Sequence, residues 1–547
     1  MSLRGEQVAK LRGQAFDLLI IGGGIVGAGI ARDAAMRGLR VALVEKGDFA
    51  GGTSSKTSKL IHGGLRYLEH GRLRLVFESL RERDALRTIA PQMVWPLSLT
   101  IPIYRGDPRS LLMVRCGLML YDWLALNRRR RSHRVLTPRQ TAELEPRLRR
   151  EGLRAAPQYT DCQMDDARLC LANVLQAVSF GAACANYVKL LALNKTHGAI
   201  SGATVEDGPT GRTFEIRAAV VVNATGPWSD AVRRMSDLHA GTRMAPTKGI
   251  HLVVPRLTTH GVFFQARQDA RMIFLLPWGD YSLVGTTEST EIASLDALHA
   301  TDDDAAYLLQ EVNALIPDAR LTPADLVATF AGARPLLAFS GSATRASREH
   351  QLEIDPFGLV SIMGGKYTTY RVMAQQTVDA VIARFQLRGE RCLTDQVSLL
   401  EPAHPMLLHR WQDLTRRISE ELLSRLLVTY GTGAFRILEL IEFEPALAQP
   451  VCPHHQVIQA EFAYAIREEM ACTISDLLVR RTTIAYSNCQ GLDLLSTLTD
   501  VLQRYARLPH EQVMDQAERY HRLLADSLSM RHAALRSAGT PVHASVS

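Results

Sequence analysis

The chain has 547 residues, of which 46% are hydrophobic and 22% are charged. This balance is typical of a folded globular protein and excludes a disordered or fibrous one, and the length favours two or three domains that share contacts. The formal net charge of +7 favours anionic partners. Aromatic residues make up only 6% and are not interleaved with dense Lys and Arg, so nucleic acid is not an expected partner.

The amino-terminal segment lacks the features of an export signal. Residues 1–15 carry charges throughout and contain neither an apolar stretch nor a small-residue cleavage site, so we expect the protein to stay on the cytoplasmic side. The longest apolar window, 111–126, is interrupted by Arg115 and Asp122 and is shorter than the roughly 20 residues that span a bilayer. We therefore expect no transmembrane helix.

The cysteine pattern predicts reduced thiols. The eight cysteines include no C-x-x-C pair, which fits neither a disulfide framework nor a thiolate metal site. Cys452, His454 and His455 are close in sequence, but no second ligand pair follows at a recognisable spacing. The sequence therefore predicts no metal.

The strongest local signal is a glycine turn between a buried strand and a helix. After Asp17, residues 18–21 form a short apolar run, and Gly22-x-Gly24-x-x-Gly27 follows at once. This spacing is typical of dinucleotide binding, because Gly22 allows a tight turn, Gly24 lets the backbone approach a pyrophosphate and Gly27 brings the helix close to the strand. The helix N-terminus then faces the phosphates.

A second strand of this unit spans 41–44 and ends at Glu45. An acidic side chain there accepts hydrogen bonds from a ribose diol and repels a 2′-phosphate, so FAD or NAD is favoured over NADP. A later apolar strand at 219–223 and the turn after it favour FAD, although an ordinary strand-ending turn explains that segment nearly as well. The turn consists of Ala224, Thr225 and Gly226.

A long motif, TSSKTSKLIHGGLRYL at 53–68, resembles the signature of the aerobic, quinone-linked family of FAD-dependent glycerol-3-phosphate dehydrogenases. The shorter motifs KGIH, VGTT, GARPL and GGKYTTYR follow in the family's order, so the resemblance runs from about Asp17 to Arg371. A looser match, DLLVRRT at 476–482, extends it into the carboxy-terminal part. One departure is Glu288, where the family more usually has Asp.

The resemblance implies an α/β fold with three parts. A glutathione-reductase-type FAD-binding domain, discontinuous in sequence, and an inserted mixed-sheet substrate domain over the flavin would occupy residues 1–395. A C-terminal α-helical domain would occupy residues 396–547. The oligomeric state is left open, with a homodimer among the states to be tested.

The resemblance also implies oxidation of sn-glycerol 3-phosphate to dihydroxyacetone phosphate, with hydride transfer to FAD and electrons passed to ubiquinone or menaquinone. His62 is the first candidate for the base that removes the C2 hydroxyl proton, because an unperturbed imidazole suits that task near neutrality, and His251 is the reserve. Arg334 is the first candidate for the phosphate clamp, since a guanidinium binds phosphate through a bidentate fork. Lys366, after two glycines, is expected beside the flavin ring.

Further residues are expected to complete the site. Arg66 and Arg348 are candidates for the clamp, and Tyr67 and Tyr370 would orient the substrate through their hydroxyls. Taken singly, such residues are more often structural or solvated than functional. The expected cofactor-binding residues are Asp17, Gly22, Gly24, Gly27, Glu45, Thr53, Ser54, Ser55, Ala224, Thr225, Gly226, Gly364, Gly365, Lys366 and Thr368.

The apolar window 111–126 is followed by a cationic cluster at 128–131, His133 and Arg134. One interpretation is an interfacial helix whose basic end meets anionic headgroups, as suits a peripheral enzyme on the inner face of the cytoplasmic membrane. The other is a buried helix of the substrate domain with a solvated loop after it. The sequence favours neither.

Three other functions stay open. A glycerol-3-phosphate oxidase would use the same substrate and flavin but pass electrons to oxygen, and it is disfavoured because the substrate domain shows no obvious long insertion. A flavin amine or amino-acid oxidase shares the fold but needs no set of arginines for phosphate. A non-catalytic flavin-binding module would have little reason to keep His62, Arg334 and Lys366.

Overall fold

The computed structural model of the protein describes residues 2–125, 133–338, 349–401 and 418–537. Two large sheets dominate the described chain. The first contains a row of parallel strands, with one antiparallel strand at one edge and an antiparallel pair attached to a strand within the row. In spatial order its strands are His350–Ile354, Leu359–Gly364, Arg212–Asn223, Ala15–Ile21, Val41–Val44 and Ala183–Ala185, with Ala199–Asp207 and Val188–Thr196 added beside Arg212–Asn223.

The central strand, Ala15–Ile21, is buried on both faces, as the apolar run in its sequence predicts. Leu18 and Ile20 pack against one side, and Leu19 and Ile21 against the other. Two groups of helices cover these sides. They are Ile25–Met36, Asp166–Ser179 and Tyr370–Phe385 on the first, and Leu3–Gly13 and Ser229–Ser236 on the second.

The second sheet is mixed, because Gly261–Gln265 runs parallel to Val94–Thr100 while the other neighbours are antiparallel. The expected α/β fold with a mixed second sheet is confirmed. In spatial order the strands are Ala328–Arg334, Thr247–Pro255, Tyr281–Gly285, Met272–Trp278, Gly261–Gln265, Val94–Thr100, Leu153–Met164 and Leu60–Ile61, with Ile103–Tyr104 and Arg134–Leu136 beside Leu153–Met164. Its helices are Leu73–Ile89, Leu111–Leu124, Pro138–Leu144 and Asp302–Leu315.

The carboxy-terminal part is helical, as expected, but it also contains a short hairpin of strands Pro450–Cys452 and His455–Ile458. The segment Asp476–Arg481 forms a π-helical turn. The α-helices are Glu420–Tyr430, Ala434–Phe443, Gln459–Glu468, Leu495–Val501, His510–Ser527 and Ser529–Ser537.

The chain stays on the first sheet beyond the expected boundary at residue 395. Leu399 is buried in that core and its N–H donates to the carbonyl of Ile89 at 2.7 Å. At the far end of the chain, Leu528 packs into the core of the second sheet, and the Thr329 hydroxyl donates to the Ser527 carbonyl at 2.5 Å. The two ends of the carboxy-terminal part therefore pack against different sheets.

A buried ion cluster joins the carboxy-terminal domain to the first sheet. Asp48, fully buried after strand Val41–Val44, accepts from Arg480 Nε at 2.6 Å and Arg481 Nη1 at 2.7 Å. Arg480 also pairs with Asp476, whose carboxylate accepts from the Tyr187 hydroxyl at 2.7 Å. Burial alone would raise the pKa of Asp48, but the charges of Arg481 and Arg480 outweigh it and hold that pKa well below its usual range.

Replacing Asp48 by Asn leaves two buried guanidinium groups facing a neutral amide. We expect D48N to lower the free energy of unfolding by about 3 kcal/mol, measured by denaturant titration. The pKa of Asp48 is lower in the folded state than in the unfolded state, so its carboxylate contributes to stability above the unfolded-state pKa and loses that contribution as the pH falls. The difference in unfolding free energy between wild type and D48N should therefore become smaller below about pH 4. The control is D515N, at an exposed helical pair with Arg519, which should change stability by less than about 0.5 kcal/mol. Equal effects of the two variants would contradict this account.

Candidate active site

A cavity of about 1300 Å³ lies between the two sheets and collects most of the predicted site residues. It is large enough for a dinucleotide with a small substrate beside it, since drug-sized ligand pockets measure roughly 300 to 1000 Å³. The predicted residues that line it are Gly22, Gly24, Glu45, Thr53, Ser54, His62, Arg66, Tyr67, Ala224, Thr225, Gly226, His251, Arg334, Gly364, Gly365, Lys366 and Thr368.

The glycine turn brings backbone to the cavity wall. Gly22 has φ +111°, and a Cβ there would lie 2.7 Å from the carbonyl oxygen of Ala224. A Cβ on Gly27 would lie 1.9 Å from the Gly22 carbonyl oxygen, so Gly27 permits the close packing of helix on turn. Gly24 caps helix Ile25–Met36, whose N-terminus opens onto the cavity and can face a pyrophosphate.

Glu45 holds the turn and faces the cavity. Its carboxylate accepts the N–H of Gly23 at 2.7 Å and that of Gly47 at 2.8 Å. Burial raises the pKa of Glu45, and these two N–H groups act in the opposite direction. Two backbone donors therefore fix the carboxylate at the position predicted for a ribose diol.

The turn after the strand Arg212–Asn223 returns to the same cavity, as its sequence predicts. The Thr225 hydroxyl donates to Asn223 Oδ1 at 2.7 Å, which fixes the turn beside Gly22. Trp228 follows, with the Lys46 ammonium 4.5 Å from its ring centroid. Within the described residues the buried Trp228 Nε1 has no hydrogen-bond partner, so a donor is left at the cavity wall.

Lys366 approaches the cavity from the first sheet, after Gly364 and Gly365, which both have positive φ. Its ammonium lies 3.8 Å from the centroid of the Tyr67 ring and 3.3 Å from the Ser79 hydroxyl oxygen. The contact joins a segment of the first sheet to one of the second, and it holds a positive charge on the wall between them.

Arg334 ends a strand of the second sheet and is held by several partners. Its Nη2 donates to the Thr286 hydroxyl at 3.2 Å and the Thr287 carbonyl at 3.0 Å, and its Nη1 lies 3.4 Å from a carboxylate oxygen of Glu288. On the neighbouring strand, a Cβ on Gly249 would lie 2.9 Å from Nη2, so only glycine leaves this room. The guanidinium is therefore fixed in place before any substrate binds.

The two candidate bases lie in different environments. The His62 ring packs edge-on to Phe274 at 6.2 Å, and its backbone N–H donates to the Thr368 hydroxyl at 3.3 Å. His251 Nε2 lies 2.8 Å from the Ser58 hydroxyl. Burial lowers the pKa of His251 to about 3, and the charges of Arg334 and Lys59 act in the same direction. A neutral, weakly basic imidazole suits hydrogen bonding better than proton removal, which favours His62 as the base.

Four predicted residues lie outside the cavity wall. Asp17, at the opposite end of its strand from Gly22, is bound to the Arg40 guanidinium at 2.6 Å. Ser55 is buried, and its carbonyl accepts a hydrogen bond from Lys59. Gly27 lets the helix pack closely on the glycine turn but does not itself line the cavity. Tyr370 is buried in the core of the first sheet. Arg348 lies outside the described residues.

Tyr370 does not contact the substrate site, contrary to expectation. It is fully buried, and its hydroxyl accepts a hydrogen bond from Asn173 at 3.0 Å. The ring packs beneath the dinucleotide helix, where a Cβ on Gly29 would lie 2.8 Å from it. The first turn of helix Tyr370–Phe385 directs this side chain into the core of the first sheet, although the neighbouring residues 364–368 line the cavity.

Several cavity residues escaped prediction. Lys56 lies inside the recognised motif, and burial lowers its pKa, aided by the charge of Arg480. Ser58, from the same motif, fixes the His251 ring. Arg480 comes from the carboxy-terminal domain, and only its place in the DLLVRRT motif could have drawn attention to it.

Comparisons with known proteins agree with this geometry. Residues 17–420 match the family model described as FAD dependent oxidoreductase, and residues 360–513 match the C-terminal domain of alpha-glycerophosphate oxidase. A glycerol-3-phosphate dehydrogenase of Synechocystis sp. is 37% identical, with 94% of this chain and 97% of the relative covered. The chain belongs to the FAD-dependent glycerol-3-phosphate dehydrogenase family. A probable mitochondrial glycerol-3-phosphate dehydrogenase of Caenorhabditis elegans is 38% identical, over 87% of this chain and 68% of that one.

A solved structure supports the same assignment. The glycerol-3-phosphate dehydrogenase of Bacillus halodurans complexed with FAD has a TM-score of 0.78 and 28% identity, covering 96% of this chain and 97% of that one. FAD is the cofactor, and the cavity fits it. The glycine turn and helix N-terminus offer N–H groups to a pyrophosphate, Glu45 offers a carboxylate to a ribose, and a Cβ on Gly24 would intrude into the cradle 3.1 Å from Ser54 Oγ.

The position of Tyr370 gives a direct test of its role. Tyr370→Phe removes the hydroxyl that Asn173 binds, so we expect a loss of about 1 to 2 kcal/mol in unfolding free energy. We expect kcat and KM for glycerol 3-phosphate to stay at wild-type values, because the side chain does not line the cavity. A KM several-fold higher with unchanged stability would return Tyr370 to the substrate site.

Proposed function

We propose that the protein oxidises sn-glycerol 3-phosphate to dihydroxyacetone phosphate at the cavity between the two sheets. The observation that carries the proposal is the meeting of a fixed arginine, Arg334, with His62 and Lys366 on the wall of a cavity built for FAD. A base, a phosphate ligand and a second cation are the groups this reaction needs. Relatives that bear the dehydrogenase name over most of their length support the substrate.

Arg334 is proposed to bind the phosphate. Its position is set by Thr286, Thr287 and Glu288, so little side-chain entropy is lost when an anion binds. Glu288 keeps the acidic character of the usual Asp with one more methylene. Arg66 lines the same cavity and is proposed as a second phosphate ligand.

His62 is proposed to take the proton from the C2 hydroxyl, with its ring held against Phe274 and its backbone held by Thr368. FAD, when bound, accepts the hydride that leaves C2. Lys366 adds a positive charge on the wall, and Tyr67 beneath its ammonium limits where that charge can move. His251, neutral and bound to Ser58, is proposed to hydrogen-bond the substrate rather than to accept its proton.

Two variants separate these roles. Arg334→Ala should raise KM about 100-fold, because a charge-assisted hydrogen bond contributes roughly 1.5 to 3 kcal/mol. His62→Ala should lower kcat at least about 100-fold, because a general base usually contributes a rate enhancement of that size, and FAD should stay bound. Steady-state kinetics and the flavin spectrum check both, with the exposed Arg139→Ala as control. Unchanged kinetics in both variants would contradict the assignments.

We also propose that electrons leave for ubiquinone or menaquinone at the cytoplasmic face of the membrane. Helix Leu111–Leu124 supports this, because one face packs into the second sheet while the other exposes apolar side chains. Leu112 is 70% exposed and Trp123 is 69% exposed, and Met113 and Met119 lie between them. A helix that is anchored on one side and apolar on the other suits the membrane interface. The basic cluster at 128–131 lies outside the described residues.

No helix within residues 2–125, 133–338, 349–401 and 418–537 is long and apolar enough to cross a membrane. The cluster after helix Leu111–Leu124 continues in His133 and Arg134, which are described. His133 Nδ1 lies 2.8 Å from Asp122, and Arg134 donates to Gln158 at 2.9 Å. These contacts hold the returning chain close to the end of the helix.

Membrane contact is tested by co-sedimentation with vesicles that contain anionic lipid. In the wild-type protein, membrane binding would remove the Leu112 and Trp123 side chains from water. Serine at both positions forfeits that gain, so we expect the double variant Leu112→Ser, Trp123→Ser to bind the vesicles at least about 10-fold more weakly. Leu238→Ser, at a residue 86% exposed outside this helix, is the matched control. Equal partitioning of both proteins would rule out the helix as the contact.

The reaction and the acceptor are tested together. We would add sn-glycerol 3-phosphate to the purified flavoprotein without oxygen, follow the flavin band, and then add either a quinone analogue or oxygen. Bleaching that the quinone reverses much faster than oxygen supports the dehydrogenase. Faster recovery of the flavin absorbance with oxygen indicates an oxidase. A flavin band that does not change when glycerol 3-phosphate is added indicates an amine oxidase or a non-catalytic flavoprotein.

A further inference from the structure

Three side chains with metal-binding atoms meet in the carboxy-terminal domain, outside the cavity. Cys452, His455 and Cys489 place their ligand atoms within 4.8 Å of one another. Cys452 ends one strand of the short hairpin and His455 begins the other, so the two occupy the ends of its two-residue turn. Cys489 arrives from a loop far along the chain. The sequence shows only the first pair, and the fold supplies the third ligand.

The distances suit a tetrahedral ion. Cys489 Sγ lies 3.4 Å from His455 Nε2. Zinc bonds of about 2.3 Å to sulfur and 2.0 to 2.1 Å to nitrogen, at a tetrahedral angle, would separate these two atoms by about 3.6 Å. Ser487 lies at the edge of the group, with its hydroxyl 3.0 Å from His455 Nε2 and 3.4 Å from Cys489 Sγ. An ion bound to His455 Nε2 would replace the contact of this nitrogen with Ser487.

The surroundings offer hydrogen bonds to a bound thiolate. Cys452 is buried, and the backbone N–H groups of His454 and His455 donate to its sulfur, as the hydrogen-bond partners of metal ligands commonly do. His455 and Cys489 are partly buried, so an ion held by the three side chains would be partly shielded from water.

We propose that Cys452, His455 and Cys489 bind a zinc-type divalent cation, with water as the fourth ligand. Two thiolates and one imidazole select a soft or borderline ion over magnesium or calcium. The two cysteines are free thiols, so both sulfur atoms are available as ligands.

The ion would tie the hairpin to a loop that contacts the second sheet. Next to Cys489, the Gln490 amide donates to the Val327 carbonyl at 2.8 Å and the Asn488 N–H donates to the Tyr281 hydroxyl at 3.1 Å. Tyr486, in the same loop, packs on Phe330 with ring centroids 5.6 Å apart. The ion's role is therefore to stabilise the seam between the carboxy-terminal domain and the substrate domain, and it takes no part in the proposed oxidation.

The test uses the full-length flavoprotein, purified under reducing conditions, stripped with a chelator and titrated with Zn²⁺. We expect one tightly bound zinc per chain by elemental analysis, and a rise in the thermal midpoint on adding zinc. Cys489→Ser and His455→Ala should lose both effects, while Cys116→Ser, at an exposed cysteine elsewhere, should keep them. Co²⁺ should give absorption at wavelengths longer than the flavin band, and Cys489→Ser should lose it.

His455→Cys keeps the proposal testable if the first variants fold poorly, since a three-thiolate site should still bind zinc. FAD content and circular dichroism report folding in every variant. Failure of the folded wild-type protein to retain zinc would overturn the proposal. A wild-type mass lower by two hydrogen atoms, with Cys452 and Cys489 linked in one peptide, would overturn it in favour of a disulfide. Neither result depends on glycerol 3-phosphate, so failure of the proposed reaction would remain distinguishable.

Discussion

A carboxylate without access to water, Asp48, determines how the parts of this molecule fit together. It accepts a hydrogen bond from Asn186, but its charge is balanced by Arg480 and Arg481, which arrive from the carboxy-terminal domain. Removing the carboxylate would take away the buried anion that these two arginines share. Glu45, three residues earlier, holds the glycine turn through the Gly23 N–H. One short segment thus fixes the cofactor cradle on one side and the docked domain on the other.

The two sheets contribute to the cavity in different ways. The first offers mostly backbone, at the glycine turn and the segment before Tyr370, which suits a cofactor recognised by shape and phosphate charge. The second offers side chains on well-supported strands, such as Arg334 and His251, which suits a small polar substrate. A site built on strands holds its groups more rigidly than one built on loops.

Local patterns predicted the parts of the site that are made locally. The strand, glycine turn and Glu45 follow one another in sequence, so their spacing specifies their geometry. Membership of a motif did not predict the role of Tyr370. It follows the cavity-lining Thr368 by only two residues, but the helix that begins at Tyr370 directs its side chain into the core. Helix Leu111–Leu124 is buried on one face and exposes apolar side chains on the other, so its packing on the second sheet is established and its contact with a membrane remains a proposal.

Long-range partners could not be predicted. Asp48 and Arg481 are 433 residues apart, and the contact between Ser58 and His251 depends on the register of the second sheet. No periodicity carries such information, since it records which face is apolar and not which element covers it.

The packing of Leu528 against the second sheet has a consequence for how the protein is made. That core includes strands near residue 250, so almost the whole chain must leave the ribosome before the last side chain can close it. At roughly 5 to 20 residues per second, the strands of the substrate domain wait many seconds with an unfinished face. A chain whose synthesis stopped a few residues before Leu528 would carry every proposed catalytic group, yet the core of its second sheet would stay uncovered and accessible to chaperones and proteases.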